Sequence, residues 1–315
     1  MNSFRDFGYV QCVIMCAFCF EATLFELGGN NSSLDTTVSV LDVAESLGAT
    51  TFLDFVRKTN LTGNFTQTGS ITVFVPSNQA FEDIPKEEKD NLQDLSYVKF
   101  ILLYHIVHGV HEKRSFRNEV QYNSESRQEA QSELLKVRMN VYHRGEIITA
   151  SGSPIINFDN KATNGMVHIL SRVMYLPPSF GSITQLTSLP ITRYVSYGLL
   201  DGGLAEKLNR KEPYTLFAPS DLAFEALPNK TMDLFIRNKT AIHRLMENHI
   251  LSGTYFSKGM EANDTFKTML GETLTVDSIK GNVTVSGALL VLPDFTATNG
   301  VVHITTKVFL PPDFC

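Results

Sequence analysis

One pattern occurs twice in this chain, about one domain length apart. The segment TVFVPSNQAFEDIP at residues 72–85 returns as TLFAPSDLAFEALP at 215–228, and NGMVHILSRVMYLPP at 164–178 returns as NGVVHITTKVFLPP at 299–312. Between them, His105 in YHIVHG corresponds to His249 in NHILSG. A repeat of roughly 140 residues has the size of a globular domain that buries its own core. The sequence therefore predicts two homologous domains in tandem, residues 36–178 and 179–315.

Composition excludes some classes of function. With 43% hydrophobic and 19% charged residues, the chain has the composition of folded globular material. The formal net charge of -6 provides no basic field for a phosphate backbone, which argues against nucleic-acid binding.

The start of the chain predicts secretion. Arg5 is the only basic residue before an apolar run at residues 12–20, and so short a run suits a signal peptide, residues 1–22, better than a membrane span. Three of the four cysteines lie inside this segment, so its removal would leave only Cys315, a candidate for an intermolecular bridge. We therefore expect each domain to fold without an internal disulfide, and the mature product to be soluble without a membrane span.

Asparagine usage points to the same compartment. Eight Asn-x-Ser/Thr sequons become candidate glycan sites if the chain enters the secretory pathway, although a sequon is short and some of these are accidental. They begin at Asn30, Asn31, Asn60, Asn64, Asn229, Asn238, Asn263 and Asn282.

The repeated motifs predict local structure. The apolar runs 73–75 and 216–218 fit buried strands that end at Pro76 and Pro219, and the serine that follows each proline suits a helix N-cap. Asn164-Gly165 and Asn299-Gly300 tolerate positive φ and predict a tight turn into a last strand, which carries His168 in the first copy and His303 in the second.

These motifs resemble the fasciclin (FAS1) family. The apolar strand with Pro-Ser-Asn/Asp and Ala-Phe is similar to the family's first signature, Asn-Gly-Val-Val-His-Ile with Leu-Pro resembles its second, and Tyr104-His105 resembles its central Tyr-His motif. The resemblance covers residues 36–314 and implies an α+β fold, in which each domain is a β-sandwich wedge flanked by short helices. It also implies extracellular adhesion rather than catalysis.

The resemblance implies two candidate receptor-binding motifs, each only partly kept in this chain. The family's Asp-Ile pair corresponds to Asp159-Asn160 and Asp294-Phe295, so both aspartates are kept without the isoleucine. A ligand carboxylate commonly completes the cation site of an integrin, since hard cations prefer oxygen donors. The alternative is that Asp159 and Asp294 are ordinary turn residues. Tyr104-His105 is kept in the first copy, whereas the second has Asn248-His249.

The histidines suggest a metal site that the repeat does not support. His105, His108 and His111 are spaced by three, but only His105 has a counterpart, His249. His168 and His303 lie within Val-His-Ile strands, where a hydrogen-bonded structural role is expected. No nucleophile has a matching base in both copies, so we expect no enzyme, no metal and no cofactor.

Two regions distinguish the copies or join them. The mixed-charge run at residues 112–133 makes the first copy longer, and such a run is a solvated loop or helix face, or a partner site specific to the first domain. The join at residues 177–181 is very short, which predicts a small interface between the domains.

Two classes of function follow. The first is a secreted adhesion or matrix protein that binds cell-surface receptors such as integrins, matrix proteins or glycans. The second is a soluble ligand-binding protein or receptor fragment that captures a small apolar or carbohydrate ligand in a crevice between wedge and helices.

Overall fold

The structure, a computed structural model, describes residues 38–66, 69–127, 134–174, 181–210, 212–279 and 282–314. The predicted signal peptide at residues 1–22, the sequons at Asn30 and Asn31, Cys315 and most of the join between the copies lie outside these ranges.

In each copy three of the described α-helices precede the first strand of the sheet, and three lie between the first and second strands. The elements of the first copy are α1 Val40–Ser46, α2 Thr50–Lys58, α3 Thr62–Thr66, β1 Ile71–Pro76, α4 Asn78–Glu82, α5 Lys86–Lys89, α6 Leu95–Tyr104, β2 Ile106–His108, β3 Gln121–Arg127, β4 Leu134–Tyr142, β5 Ile147–Ala150, β6 Ser153–Ala162 and β7 Gly165–Leu170. Those of the second copy are α7 Ile183–Leu186, α8 Arg193–Asp201, α9 Ala205–Leu208, β8 Tyr214–Pro219, α10 Asp221–Glu225, α11 Asn229–Arg237, α12 Lys239–Glu247, β9 Ile250–Ser252, β10 Thr265–Lys267, β11 Thr273–Ile279, β12 Asn282–Val285, β13 Ala288–Ala297 and β14 Gly300–Thr305.

The strands of each copy form one sheet around a parallel pair. In the first copy β1 pairs with β7 in parallel and with β2 antiparallel, and the order β1 to β7 closes into a barrel. In the second copy β8 pairs with β14 in parallel, and the order is β10-β11-β12-β13-β14-β8-β9. A bridge between Leu251 and Thr268 links β9 to the residue after β10. The α+β fold with two tandem domains is confirmed.

The parallel pair separates two hydrophobic clusters in each copy. Val73 and Val75 of β1 pack with the helices, whereas Phe74 between them packs with the other strands of the barrel. The second copy repeats this division, with Leu216 on the helix side and Phe217 on the strand side. Every residue of β1 and of β8 is buried, as the unbroken apolar runs predict.

The predicted transition from strand to helix is confirmed in both copies. β1 ends at Pro76, and the Ser77 hydroxyl accepts a hydrogen bond from the Ala80 amide at 3.2 Å. The Ser220 hydroxyl accepts from the Ala223 amide at 3.3 Å in the same way. A serine cap satisfies one of the free amides at the start of each short helix.

The predicted tight turn into the last strand is confirmed, since Ala162 pairs with Gly165 and Ala297 pairs with Gly300 across it. Positive φ is not the reason for the Asn-Gly pairs, because none of these four residues lies among the positive-φ residues of the described chain. Asn164 instead ties the helices to the sheet, because it accepts from the Val40 amide at 2.9 Å and donates to the Phe65 carbonyl at 2.7 Å. Asn299 makes the corresponding bonds in the second copy, from the Ile183 amide and to the Leu208 carbonyl.

Glycine is needed after each of these asparagines because two backbones meet closely. A Cβ atom at Gly165 would collide with the carbonyl oxygen of Ile71, and one at Gly300 with that of Tyr214. Both oxygens belong to the neighbouring parallel strand, so a side chain at either glycine would force the pair apart.

Both copies belong to one compact unit, Thr37–Cys315. Within the described ranges, no helix combines the length and the apolar character that crossing a membrane requires.

Candidate functional site

Tyr104 and His105 of the Tyr-His motif are buried. The Tyr104 side chain is 1% exposed, and its hydroxyl donates to the Lys136 carbonyl at 3.0 Å and hydrogen-bonds the Ser151 hydroxyl at 2.7 Å. Burial raises the pKa of the Tyr104 phenol to about 12. In this conformation the motif joins α6 to the barrel and presents no side chain to a partner.

His105 and its counterpart His249 make the same two bonds. Nδ1 of His105 bonds the Ile101 carbonyl at 2.8 Å, and its Nε2 accepts from the Met174 amide at 3.0 Å. Nε2 of His249 accepts from the Phe309 amide at 2.8 Å. Because Nε2 is an acceptor, each ring is neutral with its proton on Nδ1. Burial lowers the pKa of each to about 4.

Each motif aspartate lies in a bulge that a histidine supports. Asp159 and Asp294 have φ of 62° and 68°, within the irregular pairing of β6 with β7 and of β13 with β14. The Asp159 amide donates to Nδ1 of His168 at 3.1 Å, and the Asp294 amide donates to Nδ1 of His303 at the same distance. Burial lowers the pKa of both histidines, which favours the neutral acceptor.

The two aspartates differ in what surrounds their carboxylates. Asp159 is exposed, and its Oδ1 accepts from the Lys113 amide at 2.7 Å. The Asp294 side chain is only 6% exposed, because Ser257 donates to it through its amide at 2.7 Å and its hydroxyl at 2.5 Å. Arg172 of the first copy completes the set, with its guanidinium 2.9 Å from Oδ2 of Asp294. Asp294 is therefore a residue of the junction between the copies.

A second polar network crosses this junction. Oε1 of Glu119 accepts from the amide and the hydroxyl of Thr254, at 2.7 and 2.8 Å. Oε2 of Glu119 pairs with Arg138 at 2.9 Å, and the Arg138 side chain is only 7% exposed. Asn140 donates to the Thr254 hydroxyl at 2.7 Å. Glu119 and Arg138 belong to the same copy and compensate each other's buried charge. The bonds from Glu119 and Asn140 to Thr254 are the ones that join the two copies and favour their docked arrangement.

Close packing accompanies these bonds. A Cβ atom at Gly152 would collide with the Phe256 ring, and one at Gly259 with the Tyr142 ring. The Tyr142 hydroxyl donates to the Thr254 carbonyl at 3.2 Å and accepts from the Phe256 amide at 3.0 Å. The two copies therefore meet through fitted surfaces as well as through polar bonds.

Sequence reasoning missed Glu119 and Arg138. Glu119 belongs to the mixed-charge run, whose described part forms a 3₁₀ helix at Lys113–Ser115 and strand β3 rather than a loop alone. Glu119 has a positive φ of 64°, and its counterpart Asn263 has a φ of 74°. The Glu119 amide donates to the Met139 carbonyl, and the Asn263 amide donates to the Val276 carbonyl in the same way. One sequence signal could have pointed to Glu119: it is acidic, whereas its counterpart Asn263 is not.

The three closely spaced histidines do not converge. His105 ends α6, His108 lies in β2 within 3.2 Å of Glu125, and Nε2 of His111 bonds the His108 carbonyl at 2.8 Å. Among the described residues, no group of three or more His, Cys, Asp or Glu side chains is arranged to hold a metal ion.

Six sequon asparagines fall within the described ranges. Asn64 is half-buried, whereas Asn60, Asn229, Asn238, Asn263 and Asn282 are exposed. The Asn238 side chain also caps α12, accepting from the Ala241 amide at 3.1 Å.

The chain is similar to known proteins along most of its length. The porcine (Sus scrofa) transforming growth factor-beta-induced protein ig-h3 is 29% identical over 77% of this chain and 35% of its own length. Human (Homo sapiens) periostin is 27% identical over 84% of this chain and 31% of its own length. This chain thus spans about a third of each of these relatives.

A solved FAS1 domain pair from the insect cell adhesion molecule fasciclin I covers 86% of this chain, with 99% of its own length aligned, at 17% identity and a TM-score of 0.38. The family model for the fasciclin domain matches residues 47–177 and again residues 193–311. The two matches together cover more than half of the chain, one in each copy. The chain therefore belongs to the fasciclin domain family.

Proposed function

We propose that this chain is a non-enzymatic, extracellular adhesion protein whose first fasciclin domain presents Asp159 to an integrin-like receptor. The observation that carries the proposal is the difference between the two motif aspartates. Asp159 is exposed, and its backbone is fixed by His168 and Lys113. Asp294 has its carboxylate engaged by Ser257 and Arg172.

The chemistry of such a contact is coordination. A divalent cation in a receptor takes oxygen ligands, and an exposed carboxylate on a rigid bulge supplies one at small entropic cost. Because one of the two motif carboxylates is available, we propose one receptor contact of this kind for each chain. Matrix proteins or glycans that bind other surfaces would add avidity.

The experiment is cell attachment to the immobilised, cell-secreted protein, with and without a divalent-ion chelator. Asp159→Asn removes the charge but keeps an oxygen for the Lys113 amide, so the fold should remain intact. We expect attachment to require divalent ions and to fall at least tenfold in this variant. Asp54→Asn, which changes an exposed aspartate on α2, is the matched control. Attachment that Asp159→Asn leaves unchanged would refute the assigned contact.

A further inference from the structure

A cleft of about 520 Å³ lies where the two fasciclin domains meet. The first domain contributes Glu119, Tyr142 and His143 to its walls, and the second contributes Tyr255, Asp264 and Phe266. Its volume falls in the range of small-ligand sites, which occur preferentially between domains. We propose that this cleft binds a neutral saccharide. The site is separate from Asp159, and it lies between the domains rather than between wedge and helices.

Two aromatic rings form one wall. Tyr255 and Phe266 are both partly exposed, with ring centroids 4.6 Å apart and planes inclined by 47°. A sugar ring has an apolar face of C–H groups that packs on such rings, and hydroxyls around its edge that need hydrogen-bond partners. Ser252, Tyr255 and Thr265 line the same cleft, and their hydroxyls are the groups that can supply such partners.

The charges of the walls select against anionic ligands. The described walls contain two carboxylates, Glu119 and Asp264, and neither lysine nor arginine. Glu119 is already neutralised by Arg138 behind it, and Asp264 accepts from the Glu261 amide at 2.8 Å. A sulfated or phosphorylated ligand would find no lysine or arginine in these described walls to compensate its charge, whereas a neutral ligand leaves the existing partners of both carboxylates in place.

An N-glycan of the chain itself is one source of this saccharide. Asn263, an exposed sequon asparagine, immediately precedes Asp264 and Thr265 of the cleft wall. The first sugars of a glycan on Asn263 would therefore start beside the cleft. A free or partner-borne saccharide has the same chemistry, and the two sources are separable by experiment.

The first domain contains a natural control. His111 and Tyr122 occupy the positions that correspond to Tyr255 and Phe266, since the His111 and Tyr255 amides donate to equivalent threonines and Tyr122 and Phe266 hold equivalent strand positions. Their rings also pair, with centroids 3.9 Å apart. Neither of these residues belongs to the cleft. The Tyr255–Phe266 pair thus belongs to a cleft because the first domain supplies the opposite wall, whereas, among the described residues, the His111–Tyr122 pair has no such wall from the second domain.

The first arm uses unglycosylated full chain and N,N′-diacetylchitobiose as the probe, followed by saturation-transfer NMR and calorimetric titration. We expect binding that Phe266→Ala weakens at least tenfold and that Tyr122→Ala leaves unchanged. Ser252→Arg, which fills the cleft from an exposed position, should abolish binding, and His108→Arg at the corresponding position of the first domain should not. A sulfated chondroitin disaccharide should not bind.

The second arm compares cell-secreted wild type with Asn263→Gln. If the chain's own glycan occupies the cleft, wild type will not bind the probe, whereas Asn263→Gln will bind it. The melting temperatures of the two proteins will then differ more when they are cell-secreted than when they are unglycosylated, because the occupant stabilises the docked pair and the strain of glutamine at positive φ is common to both comparisons. If the source is external, both proteins will bind the probe equally. The proposal is overturned if the unglycosylated chain shows no saturation transfer and the difference in melting temperature between wild type and Asn263→Gln is the same with and without glycans. It is equally overturned if Phe266→Ala and Tyr122→Ala weaken binding alike.

Discussion

Single residues make this fold sensitive to acid. His105 and His249 are neutral hydrogen-bonded rings with a pKa of about 4, against an ordinary value of 6.5. The unfolded chain therefore takes up a proton near pH 6.5, while the folded chain takes it up only near pH 4. The stability contributed by each ring is complete above about pH 6.5 and is lost as the pH falls towards 4. The free energy of unfolding should drop by up to about 1.4 kcal/mol per pH unit for each ring.

Urea unfolding at pH 7.5, 6 and 5 measures this slope. The depressed pKa values of His168 and His303 add a loss of the same sign. A double variant, His105→Asn with His249→Asn, is less stable at neutral pH because the asparagine is smaller, but its slope should be shallower. An unchanged slope in the double variant would contradict the assignment.

At the scale of elements, the parallel pairs β1–β7 and β8–β14 depend on glycine. Gly165→Ala would place a methyl group against the Ile71 carbonyl of the neighbouring strand, so we expect a loss of about 3 kcal/mol. Gly69→Ala, where a Cβ atom meets nothing within 4 Å, should be nearly neutral. Thermal unfolding of the two variants provides the comparison, and equal melting temperatures would show that the strands can separate without cost.

The same elements show which features a sequence reveals. The strand, the proline and the serine cap are adjacent in the chain, and their local chemistry was sufficient to predict them. The role of Asn164-Gly165 was not predictable in this way, since it depends on contacts with Val40 and Ile71, which the fold brings close from far along the chain. The dipeptide therefore predicted the turn, but not the contacts that require asparagine and glycine at its end.

At the scale of the whole molecule, the junction should make the two domains unfold together. Glu119→Ala would leave Arg138 buried without its partner, which costs about 3–5 kcal/mol, and would also remove the bonds to Thr254. Each domain has its own hydrophobic clusters, so we expect one calorimetric transition in wild type and two in the variant. Glu125→Ala, in the same strand region but paired with the exposed His108, is the control. A single transition in Glu119→Ala would show that the domains are coupled by other contacts.

Glycosylation is the second prediction at this scale. If the chain is secreted from animal cells, it should be substantially heavier than its polypeptide mass of 35.1 kDa. Removal of N-glycans should return it to that mass, apart from the mass of a cleaved signal peptide. Among single Asn→Gln variants, Asn60→Gln should reduce the mass more than Asn64→Gln, because Asn64 is half-buried. A secreted chain that runs at its bare mass would contradict the assigned compartment.

The repeat shows that Glu119 differs from its counterpart, but not that it lies at a junction. Comparison of the copies highlights what they share, such as Asp159 with Asp294, whereas Glu119 and Arg138 are recognised only where the other domain packs against them. The contacts between the domains therefore determine features that the local sequence does not, including the different surroundings of Asp159 and Asp294.

The junction also bears on how a duplicated chain diverges. The two domains meet through non-equivalent surfaces, so a residue that is constrained in one copy has a counterpart released from that constraint in the other. The Ser151 amide donates to the Arg138 carbonyl, and the Ser286 amide donates to the Thr275 carbonyl in the same way. Arg138, the buried cation of the first copy, therefore corresponds to Thr275 in the second copy. Glu119 likewise corresponds to Asn263, which lies in a sequon. Once two initially identical modules dock asymmetrically, selection acts differently on each, and the freed positions become available for new roles.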